Sequence, residues 1–365
     1  MIRALRNLLL FLGAAASLHA WPQSIAFINP GKSDEVYWVT AARAMQAAAG
    51  NLGMRLQVLY AERDHLRTVQ FAREIAARPR ETRPDFVIMS NDNGTGPEML
   101  RILDGAGVRT FLAFSSIPVE ARAGSGGPRE GYKGWLGSLE PHAEDAGYLT
   151  AKALIEKGRK ARAQAPDGKL HMIAIAGDRA TPSSIRRNTG MARAVAETSD
   201  VVLDQTVYAA WARDKAAEQG EWLFQRHPGA RLVWAGNDLM AFGAMQAWEK
   251  RGGQPGTDAW FSGVNTSREA MDAVRAGRLA ALAGGHFISG AWSVVMIYDY
   301  AHGRDFADEG LELDRPMFTL FDARAAEAYV ERFGENFDRI DFRKYSKAMN
   351  PRVKRYDFDF GQLLR

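Results

Sequence analysis

The chain has 365 residues, enough for one large or two medium domains, and its composition, 46% hydrophobic and 25% charged, is that of an ordinary folded protein. Formal net charge is +4, falling to about +2 if Arg3 and Arg6 are removed with a leader, so nothing calls for a nucleic-acid partner or an anionic membrane surface. The absence of cysteine excludes disulfide staples and thiolate chemistry, but fits a periplasm as well as a cytosol.

Met1 to Ala20 has the makeup of a secretory signal: basic Arg3 and Arg6, an apolar run from Leu8 to Leu18, then His19-Ala20. Cleavage is expected after Ala20, with Ala16 as the other option. The apolar run is far shorter than the ~20 residues of a spanning helix. A mature protein soluble in the periplasm is expected.

From Gln23 onward strands and helices alternate. Ser24 to Asn29 reads as a strand, and Asp34 is expected to cap a helix running to about Ala49, stopped by Gly50 and Gly53. Strands at 55–60, 85–90 and 109–114 are separated by helices at 64–77 and 97–103. Such βα repetition predicts a parallel sheet covered on both faces. Gly124 to Gly131 is a Gly-rich loop and a plausible boundary.

The pattern then repeats. Trp135 to Leu139 is extended, and a helix from His142 to Gly158 follows. Strands at 170–176 and 201–208 alternate with helices at 184–198 and 214–225. Leu232 to Ala235 is a short buried strand, broken by Gly236, with Asn237 and Asp238 placed to cap the helix from Leu239. The strand at 259–264 ends in Gly263-Val264-Asn265, before a helix from Ser267. A helix at 267–276, a strand at 279–283, an apolar helix at 288–300, a single last strand at 316–321 and a helix at 325–333 complete the pattern.

Several short signals point to no chemistry. Gly31-Lys32-Ser33 follows a strand, but a phosphate loop needs glycine where Ala26 stands. The turn Asn91 to Gly96 starts no dinucleotide fingerprint. The histidines lack metal-ligand spacing, and no Gly-x-Ser-x-Gly elbow is present. No cofactor and no metal are expected.

The run of strand, Asn237-Asp238, helix, strand and Gly263-Val264-Asn265 resembles the second lobe of type I periplasmic sugar-binding proteins, whose core is shared with lac-repressor-type regulators. The resemblance covers roughly residues 24–332. It implies two doubly wound parallel-sheet α/β lobes joined by a three-strand hinge, with crossings near Leu136 to Leu139, Leu282 to Gly285 and Phe318 to Phe321. The expected division is a signal at 1–20, a first lobe at 21–137 plus 285–318, and a second lobe at 138–284 plus 319–365. The 334–365 tail is expected to pack along a lobe.

The same resemblance nominates ligand positions. Tyr37 and Trp38 fall where sugar binders carry adjacent aromatics; one is expected in the core and the other, Trp38, in the site. Trp211 should oppose it from the second lobe. Asn91 and Ser115 lie at first-lobe strand ends, and Asn237 and Asn265 match polar positions of the second. Sugar binders usually have Asp at the Asn265 position, so Asn265 is expected to donate to an unusual ligand. Asp238 is nominated with them as a ligand position, the alternative being that it only caps the helix. Arg186 is the expected ligand arginine, with Arg187 the alternative one residue on. His286 either reaches the cleft or merely starts a helix.

The implied function is closure over a small sugar-like ligand without catalysis. The protein would act as a monomer and serve the membrane permease of an ABC transporter or a membrane sensor, as in autoinducer-binding relatives. A repressor would need an amino-terminal helix-turn-helix where the signal stands. A secreted α/β enzyme would need a nucleophile or metal set that the sequence does not display.

Overall fold

The computed structural model describes residues 22–334 and 336–364. The expected signal and the mature start at Trp21 lie outside the described residues.

The first half runs β1 (Ser24–Asn29), α1 (Val36–Asn51), β2 (Arg55–Tyr60), α2 (His65–Ala77), β3 (Phe86–Met89), α3 (Gly96–Gly105), β4 (Arg109–Ala113) and β5 (Trp135–Pro141). Next come α4 (Ala143–Ala161), β6 (Leu170–Ala176), α5 (Pro182–Ala196), β7 (Val201–Tyr208), α6 (Arg213–Arg226), β8 (Leu232–Ala235), α7 (Asp238–Lys250) and β9 (Trp260–Val264). The chain ends with α8 (Arg268–Arg275), β10 (Ala281–Gly284), α9 (Ser289–Ala301), β11 (Glu312–Arg315), β12 (Thr319–Leu320), α10 (Ala323–Arg332) and α11 (Phe360–Leu363).

Two sheets form, ordered β11-β5-β4-β3-β1-β2 and β12-β10-β9-β8-β6-β7. All pairings are parallel except β12 on β10. Central strands such as β1, β3 and β8 are near-continuous apolar runs, because helices cover both of their faces. In each lobe the chain reverses direction across the sheet beside β1 or β6, and the crevice at the strands' carboxyl ends opens there.

Helix starts follow local chemistry. Asp64, Asn237, Ser267 and Asp322 each accept a backbone N–H from the first turn. Asp34 does not cap α1; Glu35 takes the cap position without a capping bond, because its carboxylate is engaged by Arg63.

The lobes depart from the expected division in three places. β5 stays in the first sheet over its whole length, paired with both β4 and β11, so the first crossing falls at Pro141-His142. The expected last strand is two strands, β11 in the first sheet and β12 in the second. Pro316 separates them, having no N–H to continue a ladder. Finally, α10 packs on α8 in the second lobe, but the tail beyond it returns to the first. Phe342 N donates to Asn51 Oδ1 of α1, at 2.9 Å. Asp299 of α9, fully buried, accepts from Ser346 Oγ, the backbone of Lys347 and Ala348, and Tyr356 Oη. The second crossing turns at Gly285, whose φ of 111° and close approach to the Phe360 ring exclude a side chain.

Candidate functional site

Every strand end that faces the cleft contributes to one cavity. From the first lobe come Glu35, Tyr37 and Trp38 after β1, Arg63 after β2, Asp92 after β3, and Phe114 and Ser115 after β4. The second lobe and the second crossing add Arg187, Trp211, Asn237, Asn265 and His286. The space these walls enclose is small, about 40 Å³. Several of these strand ends are strained: Phe114, Trp211 and Asn265 have φ of 69°, 65° and 124°.

Three rings form a ladder where the hinge meets the first lobe. His286 stacks on Tyr37 at 4.7 Å and on Phe318 at 4.6 Å between centroids. Trp38 sets its edge against Tyr37 and Phe114, and is only 4% exposed. Both aromatics of the pair line the cavity, although Trp38 is at the same time part of the core.

Arg187 is the cation of the second lobe. Its Nη1 donates to Gly236 O at 2.6 Å, and its Nη2 lies 3.0 Å from His286 Nε2. A guanidinium only donates, so Nε2 accepts and the imidazole proton sits on Nδ1. Burial, and then the Arg187 charge, hold the imidazole well below its usual pKa. Burial also lowers Arg187, to about 10. The guanidinium lies 5.5 Å from the Trp211 ring centroid, a cation–π contact.

In the first lobe Arg63 forms a forked ion pair with Glu35, with Nε to Oε2 at 2.8 Å. Asp92 sits beside it, 3.6 Å from Arg63 Nη1, and accepts from Ser90 Oγ. Burial raises the Asp92 carboxyl to about 6, against the lowering effects of Arg63 and Ser90.

A layer of polar groups behind the second-lobe wall fixes it. Asn237 Oδ1 caps α7 and its Nδ2 donates to Trp211 O. Asp178 accepts Trp211 Nε1 at 2.7 Å and also Thr181 Oγ1. Thr181 Oγ1 in turn accepts Asn93 N from across the cleft at 3.2 Å. Asp238 accepts from Leu239 N, Asn265 Nδ2 and Ser267 Oγ.

The expected residues therefore divide. Tyr37, Trp38, Ser115, Trp211, Asn237, Asn265 and His286 line the cavity. Asn91 does not; it accepts Gly96 N and donates to Ser116 O, holding the turn after β3. Arg186 points to the rim, pairing with Asp314 at 3.2 Å and Glu140 at 3.7 Å of the first lobe. One step further round α5, Arg187 takes the place expected of it. Asp238 is no simple cap; it braces Asn265 from behind. That contact takes one of the two Nδ2 hydrogens of Asn265, leaving the other and Oδ1 to meet a ligand. Glu35, Arg63 and Asp92 went unforeseen, though Glu62-Arg63-Asp64 is a charged run at the end of β2, on the ligand edge.

Four buried polar atoms of the cavity residues have no partner: Trp38 Nε1, Ser115 Oγ, Arg187 Nε and His286 Nδ1. Among the described residues no group of three or more His, Asp or Glu side chains is placed to hold a metal ion.

The fold has two α/β lobes; the sequence matches the model of the periplasmic binding protein domain over residues 25–305, and the chain belongs to that family. It is similar to the structure of a periplasmic sugar-binding protein from Pseudomonas fluorescens, with 37% identity and a TM-score of 0.84 over 94% of this chain and 100% of that one. The fold is shared with the binding-protein component of an arabinose ABC transporter from Shewanella sp. ANA-3, 18% identical, with a TM-score of 0.68 over 85% and 95% of the chains. It is shared also with a solute-binding protein from Actinobacillus succinogenes solved with D-allose, 18% identical, with a TM-score of 0.71 over 84% and 100%. No curated protein matches the sequence.

Proposed function

We propose that this chain is a periplasmic solute-binding protein that closes its lobes over a small sugar-like ligand and presents it to the membrane permease of an ABC transporter. The observation that carries this reading is the set of unpartnered polar atoms in a cavity walled by both lobes. Each such atom costs about 1–3 kcal/mol when shut away from water without a bond. A polyhydroxylated ligand recovers that cost, while Tyr37, Trp38 and Trp211 cover the apolar faces of its ring. Without ligand the same cost favours parted lobes and wetted walls; with ligand it favours closure, a population shift. The sugar-binding relative at 37% identity and the arabinose-transporter component support the same reading.

A thermal-shift screen of monosaccharides, sugar acids and polyols tests it. A true ligand at a hundred times its Kd should add about 2.7 kcal/mol. No stabilisation by any of them would overturn the proposal.

A further inference from the structure

The segment from residue 334 onward lies beyond the matched domain, which ends at residue 305, and none of its described residues lines the cavity. It joins both lobes. After α10 in the second lobe the chain returns to the first, where Phe342 N meets Asn51 of α1 and Ser346 to Tyr356 seal Asp299 of α9. Phe358 then stacks nearly flat on Trp292 of α9, 4.8 Å between centroids and 12° between planes. Helix α9 packs on α1, β3, β4 and β5, so this anchor belongs to the first lobe.

Two residues on, Phe360 sits among rings of the other lobe. Phe321, which follows β12, is 6.5 Å away, and Tyr329 of α10 is 6.2 Å away. Phe321 N donates to Leu282 O of β10, and Arg332 Nη1 of α10 donates to Leu363 O. Beyond its three strand crossings, the chain therefore passes between the lobes twice more. Only Asp359 separates the two ring anchors, a reach of at most about 7 Å, so the last passage has no slack.

Phe360 also touches the hinge itself. A Cβ on Gly285 would fall 2.3 Å from the ring, and 2.8 Å from the carbonyl of Met317 in the third crossing. A swing of the lobes has to be absorbed by backbone dihedrals at such crossings. The buried Phe360 ring fills the space beside Gly285 that a turning backbone would sweep. Its other side faces Phe287, 5.6 Å away, where the second crossing enters the first lobe.

We infer that the carboxyl-terminal segment is a strap across the hinge, pinned to opposite lobes by Phe358 and Phe360, that limits how far the lobes part when no ligand is bound. It requires that the lobes swing, not that the ligand be a sugar. By trimming the widest open states, such a strap raises the fraction of molecules competent to bind and so tightens apparent affinity.

Pulsed electron spin resonance on the ligand-free protein tests the strap. The chain has no cysteine, so Leu66→Cys and Ile185→Cys, exposed residues at the starts of α2 and α5, accept spin labels on opposite lobes. Phe360→Ala, and separately a chain ending at Asp357, should each move the label distances to longer values and broaden them. The shortened chain keeps Tyr356 on Asp299. Phe360→Leu, which keeps apolar bulk, should move the distances less, and it remains readable if the other two fail to fold. An unchanged distribution in every variant that folds would overturn the strap. No sugar is added, so a failed ligand screen would overturn the sugar-binding reading and leave this result standing.

Discussion

Arg187 and His286 meet edge to edge, Nη2 to Nε2 at 3.0 Å, tying a helix of the second lobe to the second crossing. The contact makes the imidazole an obligate acceptor and keeps it neutral. Its folded pKa lies below its unfolded value, so its contribution to stability is present above about pH 6.5 and is lost as pH falls below that. The His286 ring signals in NMR should not titrate near pH 6.5, where an ordinary histidine does. His286→Phe keeps the stack but strips Arg187 Nη2 of its partner, and should lower unfolding free energy by about 1–3 kcal/mol in urea titrations.

Asp92 works with the opposite sign. Burial lifts its folded pKa to about 6, above the unfolded carboxylate, so the native state holds the extra proton. Its penalty is present above pH 6 and fades as pH falls toward 4. His286 and Asp92 oppose each other in that window, so the wild-type curve is not diagnostic, but the difference from Asp92→Asn is. That variant should gain on wild type at pH 7, by at most about 3 kcal/mol, and the gain should shrink by pH 4 in thermal melts. A gap that does not change with pH would show Asp92 already paired.

Asn265→Asp sets a carboxylate against Asp238, where an amide now donates at 2.8 Å. The two cannot both ionise at that separation, so one is forced to take a proton. The variant should lose about 1–3 kcal/mol of stability at pH 7 and recover part of it at pH 5, as well as bind ligand more weakly. Tighter binding at pH 7 would mean that the Asp238 contact does not form in solution.

Trp211 offers a ring to the cavity that Asp178 and the close backbone of Gly177 hold in place. Trp211→Ala should weaken ligand binding by about 2 kcal/mol or more in calorimetry. Trp38 is also a core residue, so Trp38→Phe is the better probe; losing its Nε1 donor should cost about 0.5–1.5 kcal/mol of affinity. Unchanged binding by both variants would remove the cavity as the site.

Closure should be visible in solution. Small-angle scattering should give a smaller radius of gyration with saturating ligand than without. Arg186→Ala, which deletes an exposed pair across the rim, should reduce affinity only slightly, by roughly 0–1 kcal/mol. Identical profiles with and without ligand would rule out hinge closure.

The fold was legible because buried parallel strands are short apolar runs ended by turn residues. Leu170–Ala176, Val201–Tyr208 and Leu232–Ala235 read the same in the sequence and in the structure. Strand ends located most of the cavity as well. What did not come through were choices of one residue and of partner. Arg186 and Arg187 are adjacent, and only the rotation of α5 around its axis decides which turns inward. Asp238 and Asn265 lie 27 positions apart, so no local pattern shows that one orients the other. Glu35, one residue past the expected cap Asp34, holds the cap position, and its engagement by Arg63 depends on β1 and β2 being neighbours.

The route of the chain also orders its assembly. The second lobe draws β6 to β10 from one unbroken stretch, whereas the first needs α9, β11 and the segment through Tyr356 in addition to its opening strands. Asp299 receives its last hydrogen-bond donors only when residues 346–356 arrive. During synthesis from the amino terminus, then, the lobe begun first is still unsealed when β6 to β10 of the second have all been made. A polypeptide ending near residue 340 would still lack the donors that seal Asp299 in the first lobe and the Phe360 ring that packs on Phe321 and Tyr329 in the second.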